Sequence, residues 1–249
     1  MRFTGKCAIV TGAGRGIGRG IAARLSAEGA LVGCVDIDGD LIGDTVRAIE
    51  EAGGRAIPLQ VDLRTRAACH QAVETFVREA GRLDVLVNNA MWIKYEPIES
   101  IAEATARSML AIGLEAVLWL SQAAIPAMRS VGGGAIVNVS SPAAVHGIVN
   151  GTMYCAVKGA IAALTRAMAT ELGPQRIRVN AIGPGPTQTP GACSIVDADG
   201  WQRRLEKTPL GRHAEVSDHA ALCAFLASDD SAFMTGELVL NDGGRHISA

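Results

Sequence analysis

The 249-residue chain has no run of about 18 uninterrupted apolar residues, the length a membrane-spanning helix needs. Its most hydrophobic helix candidate, "LAIGLEAVLWLSQAAIPAM", is broken by Glu115, Ser121 and Gln122, and reads as a buried or subunit-packing helix. Neither sign of charge dominates: 23 Lys and Arg face 25 Asp and Glu, a formal net charge of −2. Nothing in that balance favours nucleic acid or an anionic membrane as a partner. The six cysteines (Cys7, Cys34, Cys69, Cys155, Cys193 and Cys223) are scattered and form no CxxC. No metal site or disulfide framework is expected from them, only reduced structural thiols. The opening "MRFTGKCAIV" has no apolar leader core and runs straight into a strand pattern, which predicts a cytoplasmic protein. There is no internal repeat, low-complexity tract or linker.

What is present is apolar content of 49%, laid out as short apolar runs alternating with helical patterns. "CAIVTG", "LVGCVD", "RAIPLQVD", "LDVLVNN", "GAIVNVSS", "IRVNAIGP" and "ELVLNDG" read as strands. Helices are expected at about 16–28, 40–52, 65–80, 101–128, 152–172 and 215–228. Continuous apolar strands between helices imply a parallel sheet covered on both faces, an α/β fold. One domain over residues 1–249 accommodates the length. Residues 184–212 are the least regular, rich in Gly, Pro, Thr and Asp. A long loop in a compact domain is usually functional, and a substrate lid is expected at about 186–212.

"TGAGRGIG", residues 11–18, follows the first strand and opens the first helix. Gly12, Gly16 and Gly18 permit a tight turn and close backbone approach, and the helix N-terminus offers free N–H groups to a pyrophosphate. The bland alternative is a turn with no ligand. The second strand ends at Asp36, where a carboxylate can accept from both hydroxyls of an adenosine ribose and would repel a 2′-phosphate. Arg15 pulls the other way, since it can pair with that phosphate. A half-dry carboxylate facing a dianion outweighs a solvated arginine, so NAD is expected over NADP. Asp36 can also serve as the N-cap of the next helix.

Seven segments stand in order: "TGAGRGIG", "VDL" at 61–63, "NNA" at 88–90, "VNVSS" at 137–141, "YCAVK" at 154–158, "RVNAIGPG" at 178–185 and "TGELVLNDGG" at 235–244. Each is weak alone. Together they resemble the short-chain dehydrogenase/reductase family, over essentially the whole chain. The resemblance implies a Rossmann-type doubly wound three-layer sandwich with a seven-stranded parallel sheet, and a homotetramer packed through helices 101–128 and 152–172. It implies that Ser141, Tyr154 and Lys158 are catalytic. It places Arg15 and Ile17 with the glycines of the phosphate loop, and Asp62 and Leu63 beside the adenine. Asn88 and Ala90 would lie beneath the cofactor, with Pro184, Gly185, Thr187 and Thr189 near the nicotinamide carboxamide.

The chemistry stands without the family. Residues at i and i+4 share a helix face, so the Lys158 ammonium is expected to pull the Tyr154 phenol below its usual pKa. A phenol so tuned exchanges a proton with an alcohol or carbonyl, and Ser141 can bond the developing oxyanion. The bland alternative is a surface pair. Two departures stand out. "NNAM" puts Met91 where the family usually has glycine, and Gly113 stands where it usually has a relay asparagine. Glycine keeps the backbone carbonyl, allows a bend and leaves room for a water, so an altered relay is expected. The substrate side is expected to be lined by Met91, Trp92, Ile93, Val145, His146, Met153, Pro186 and Trp201. These are mostly apolar, and no arginine cluster speaks for an acidic substrate. The expected activity is NAD-dependent hydride transfer with a small secondary alcohol or ketone, a cyclic dihydrodiol or polyol being the substrate alternative. The rival class is a catalytically weakened NAD-binding sensor or partner subunit.

Overall fold

Apolar strands need cover on both faces, and the helices between them supply it. The computed structural model describes residues 1–248. Seven parallel strands are β1 (Cys7–Thr11), β2 (Leu31–Asp36), β3 (Arg55–Gln60), β4 (Val85–Asn88), β5 (Gly134–Val139), β6 (Ile177–Pro184) and β7 (Leu238–Asn241). They lie in the order β3-β2-β1-β4-β5-β6-β7. The main helices are α1 (Gly16–Ala27), α2 (Gly39–Glu51), α3 (Arg66–Ala80), α4 (Glu103–Leu110), α5 (Ala116–Ser130), α6 (Thr152–Leu172), α7 (Pro190–Cys193), α8 (Ala198–Glu206) and α9 (Val216–Ala227). β1 shows how the layers arise. Ala8 and Val10 pack with Ile21, Ile42 and Cys223 of α1, α2 and α9, while Cys7 and Ile9 pack with Phe76, Leu120 and Leu172 of α3, α5 and α6. This is the doubly wound sandwich the sequence implied. Pro58 sits on β3, the edge strand, where its missing N–H is tolerated.

Chain order reverses between β1 and β4. The connections that leave their carboxyl ends therefore run to opposite faces of the sheet, which is where a doubly wound fold has its ligand crevice.

Two stretches differ from expectation. The helix predicted over 101–128 is interrupted by a wider π-helical turn at Ala111–Glu115, with Gly113 at its centre. The run Glu103–Ser130 is long and apolar enough to span a membrane by length and composition alone, as the core helices of folded domains often are, and it packs here against α3, α6, β4 and β5. The irregular stretch contains two short helices. Thr189 Oγ1 caps α7 by accepting from Ala192 N at 3.2 Å, with Pro190 in its first turn. Asp197 Oδ1 caps α8 by accepting from Gly200 N at 2.7 Å. All six cysteines are free, and burial pushes the thiols of Cys34 and Cys223 up to about 12.

Candidate active site

At the crevice, the glycine loop is held from three sides. Gly12 has a φ of +64°, and a Cβ on Gly18 would lie 2.1 Å from Gly12 O, so the turn closes only with glycine there. Asp36 Oδ2 accepts from Gly14 N at 3.0 Å, and Oδ1 accepts from Ile37 N at 2.8 Å. Asn89, which sequence reasoning passed over in favour of its neighbours, donates from Nδ2 to Thr11 O at 2.8 Å and to Gly12 O at 3.2 Å. Thr11 Oγ1 accepts from the Asn89 and Ala90 amides at 2.9 and 3.0 Å. The "NNA" pattern carried that signal, since two adjacent amides at a strand end imply two sets of backbone bonds.

The helix that follows the loop is ready for an anion. α1 starts at Arg15 with no side-chain cap and no acidic residue in its first turn, whereas Asp38 caps α2 and Thr65 caps α3. Its first N–H groups are thus free for a pyrophosphate, and the exposed Arg15 adds a positive charge. The N-cap of α2 is Asp38, so Asp36 does not take that role. These residues fit a dinucleotide, which Gly12, Arg15, Gly16, Ile17 and Gly18 would hold by its phosphates and Asp36, at the tip of β2, by its ribose. Asp62 is ion-paired with Arg64, which holds its carboxyl below the usual range, and Leu63 beside it is buried. Asn88 is buried, donating to Asn138 Oδ1 at 2.9 Å, and its own Oδ1 has no partner. Thr189 packs over Gly16, so the segment after β6 closes on the phosphate loop.

The proposed catalytic group converges from β5 and α6. Ser141 follows β5, and its Oγ accepts from Ala143 N at 3.1 Å. Ser140 Oγ donates to Lys158 O at 2.9 Å and ties the helix to the strand end. Lys158 is buried and its Nζ donates to Val139 O at 2.7 Å, 5.8 Å from the centre of the Tyr154 ring. Burial lowers that amine to about 8. Tyr95 meets Tyr154 edge to face, centroids 5.8 Å apart at 86°. The expected lowering of the Tyr154 phenol is overturned: burial raises it, the Tyr95 phenol adds to the rise, and the Ser141 hydroxyl only partly opposes it. Lys158 is turned to a backbone carbonyl, so packing decides the direction. A phenol held neutral beside a serine hydroxyl is a proton donor for a carbonyl oxygen.

The two departures prove to be one feature. A Cβ on Gly113 would lie 2.6 Å from Met91 Sδ and 2.6 Å from Val157 Cγ1. Met91 therefore fills the space that Gly113 leaves, and the expected room for an extra water is taken by its thioether. Met91 also packs on the helix here, where the sequence reading had it lining the substrate side.

The lid brings in residues that sequence reasoning missed. Thr187 Oγ1 lies 2.7 Å from Nε2 of the buried His219 and donates to Gly185 O at 2.9 Å. Asn241 Nδ2 lies 3.2 Å from Nδ1 of the same ring. These partners fit a neutral imidazole that accepts at Nδ1 and donates at Nε2, and burial lowers its pKa to about 4. A Cβ on Gly185 would lie 2.4 Å from Asp242 Cα, so Pro184 and Gly185 run close against the turn after β7. Trp201 of α8 packs against His213 at 5.2 Å and under the Arg204 guanidinium at 5.5 Å. Trp92 is exposed, Met153 and His146 are half-buried, and the His146 carbonyl accepts from Cys155 Sγ at 3.7 Å. The C-terminal turn folds back on α8, where Ser248 Oγ donates to Lys207 O at 3.0 Å.

A crevice at the strand-order reversal, an uncapped helix after a glycine loop, and a tyrosine with a lysine one helical turn on define a dinucleotide-dependent oxidoreductase. A family model described as enoyl-(acyl carrier protein) reductase matches residues 12–246. The chain is 39% identical over 242 residues to L-xylulose reductase of Mus musculus, covering 96% of each. Among solved structures it is similar to 7α-hydroxysteroid dehydrogenase complexed with NADH and 7-oxo glycochenodeoxycholic acid (TM-score 0.95, 34% identity, 98% of this chain and 95% of that one). A Beutenbergia cavernae protein with NADP bound at low occupancy matches with a TM-score of 0.94 at 33% identity over 100% of both chains. The chain belongs to the short-chain dehydrogenase/reductase family of oxidoreductases, whose members use a nicotinamide cofactor.

Proposed function

We propose that the chain is an NAD-dependent oxidoreductase that interconverts a small secondary alcohol and its ketone, with Tyr154 as general acid and base. When bound, the nicotinamide dinucleotide supplies or takes the hydride. Tyr154 gives its proton to the carbonyl oxygen in reduction and takes it back in oxidation. Ser141 donates to the same oxygen as negative charge develops there. Lys158, with its lowered pKa, holds a cofactor ribose and returns a proton to Tyr154. Asp36 accepts from the adenosine ribose hydroxyls and disfavours a 2′-phosphate. Residues 186–212 cover the substrate, Thr187 and Thr189 orient the carboxamide end, and Trp92, Met153, Trp201 and His146 line the substrate side. The relatives' names span a sugar and a steroid, so they leave the substrate open. A homotetramer in the cytoplasm, packed through α4–α5 and α6, belongs to the same reading. It is supported by Leu110 and Leu118, which stand exposed on that long helix.

The observation that carries the proposal is geometric: the centre of the Tyr154 ring lies 5.8 Å from Lys158 Nζ, with Ser141 just after β5, on the edge where α1 starts uncapped. Tyr154→Phe should lower kcat by about a thousandfold while NADH binding, followed by fluorescence, is kept. With the unmutated protein, kcat/KM for NAD should exceed that for NADP by about a hundredfold, the effect of a few kcal/mol of repulsion. Wild-type turnover in Tyr154→Phe would sink the mechanism. Equal use of NADP would mean that Arg15 outweighs Asp36.

A further inference from the structure

The chain contains two tyrosines, and they touch. Tyr154 is the reacting phenol of the reading above. Tyr95 lies on the segment between β4 and α4 and is half-buried. Its ring meets the Tyr154 ring edge to face, with centroids 5.8 Å apart at 86°. At that separation two aromatic rings are in van der Waals contact, and no methylene passes between them.

The segment that carries Tyr95 is fastened on both sides of it. Upstream, Met91 fills the hollow at Gly113, where a Cβ would lie 2.6 Å from its Sδ and 2.6 Å from Val157 Cγ1 of α6. Downstream, Glu96 N donates to Asn150 O at 2.9 Å, just before α6 begins at Thr152. Asn150 has a φ of +58°, a left-handed conformation that asparagine tolerates better than most residues. Pro97 disfavours a helical backbone at Glu96, and Lys94 Nζ pairs with Glu96 Oε1 at 2.6 Å. Side chains two apart on extended backbone share a side, and the one between them points the other way. Lys94 and Glu96 thus pair on one side, and Tyr95 is turned to α6.

A ketone that takes a proton from Tyr154 brings two substituents on its carbonyl carbon. One flank of the Tyr154 ring is occupied by Tyr95, so a substituent directed to that flank has to fit against the second ring. A wall of this kind discriminates by size, since a branched group collides where a methyl fits. We propose that Tyr95 is a specificity-determining wall that confines the site to carbonyl or carbinol carbons bearing one small substituent, which lies against the Tyr95 ring. The substrate class is then methyl ketones and the corresponding secondary alcohols. The contact is made ring to ring, so phenylalanine serves at position 95 and a small aliphatic side chain does not.

This inference rests on the reductase reading above, so its test has an arm that needs no turnover. Initial rates with NADH and with NADPH are measured for acetophenone and isobutyrophenone, and for 2-heptanone and 2-methyl-3-octanone. Each pair differs only in a methyl or an isopropyl group on the carbonyl carbon. In the unmutated protein the methyl ketone of at least one pair should exceed its partner in kcat/KM by about a hundredfold, and Tyr95→Phe should keep that ratio. Tyr95→Ala should cut it below about tenfold, chiefly by lowering KM for the isopropyl ketone. Tyr95→Leu repeats the comparison should the alanine variant fail to fold. The second arm is NMR of protein carrying isotope-labelled tyrosine, whose ring signals come from Tyr95 and Tyr154 alone. With NAD or NADP present, neither of which reduces a ketone, the methyl ketone should shift both rings and the isopropyl ketone neither. In Tyr95→Ala both ketones should shift the remaining ring. Isopropyl ketones used as well as methyl ketones, a ratio unchanged in Tyr95→Ala and Tyr95→Leu, a ratio lost in Tyr95→Phe, or no ring shift with any of the four would overturn the wall. If nothing is turned over yet the ring shifts follow this pattern, the reductase reading fails and the wall stands.

Discussion

The two edges of the sheet use charge in opposite ways. At the amino edge, Asp84 Oδ2 accepts from Cys7 N at 2.9 Å and from Arg82 Nε at 2.8 Å, with Lys6 Nζ 3.7 Å from the other oxygen. Arg178 donates to Leu226 O at 2.8 Å, Ser228 O at 2.9 Å and Ser231 Oγ at 2.9 Å. Arg2 pairs with Glu28 at 2.8 Å, and this guanidinium holds the Glu28 carboxyl down to about 2. At the carboxyl edge the buried groups are left short. Lys158 has a carbonyl for company and no carboxylate, Asn88 Oδ1 has nothing, and neither does Arg245 Nε. The same sheet supports both edges, so the difference is not one of fold. Satisfied charges stabilise the chain, while unsatisfied ones held by packing are available to a ligand.

That contrast predicts effects of opposite sign. Lys158→Met should lower kcat/KM by about a thousandfold, since an acid/base assembly loses a member. It should also raise stability, by about 1–2 kcal/mol, because a buried amine whose pKa burial depresses is removed. Asp84→Ala should do the reverse. It strands the Cys7 amide and should reduce stability by about 2–3 kcal/mol, with kcat and KM unchanged. Urea unfolding beside steady-state rates reads both. If Lys158→Met destabilises as Asp84→Ala does, the distinction between the edges is lost.

Legibility in the sequence followed contact range. All seven strands were visible because each is a local apolar run, and Tyr154 with Lys158 because four residues make a helical turn. The glycine loop was visible because strand, turn and helix follow one another. Met91 with Gly113 was not visible. The pair meets only through tertiary packing that no periodicity encodes. The direction of the Tyr154 shift was misjudged for a related reason. Spacing showed that a lysine was near, but not that its Nζ turns to Val139 or that Tyr95 packs on the ring.

A smaller effect sharpens the picture at the crevice. Gly113→Asn restores the residue that the resemblance leads one to expect, but its Cβ would run into Met91 and Val157, the neighbour of Lys158. Overpacking there should cost about 1–3 kcal/mol and lower kcat. Met91→Gly in the same chain removes one of the two obstacles and should recover about half of both losses. A double-mutant cycle on stability and kcat measures the coupling. Additive losses would mean that the two positions do not exchange for one another.

The smallest effect belongs to His219, which links the lid to the last strand through Thr187 and Asn241. Its folded pKa, about 4, lies below the ordinary 6.5 because burial disfavours the imidazolium. The unfolded chain therefore binds a proton first as pH falls. Above about pH 6.5 both states are neutral and the group adds no pH dependence. Between 6.5 and 4 the unfolded state holds more protons, so stability falls with pH, by about 1 kcal/mol at pH 5.5. Protonation also removes the Nδ1 acceptor for Asn241, which should loosen the Thr187 anchor before the sheet unfolds. His219→Gln lacks the titration, so its stability should stay flat relative to the parent across that window. Thermal unfolding at pH 7.5 and 5.5 for both proteins provides the comparison, and equal slopes would show that another group governs the acid limb.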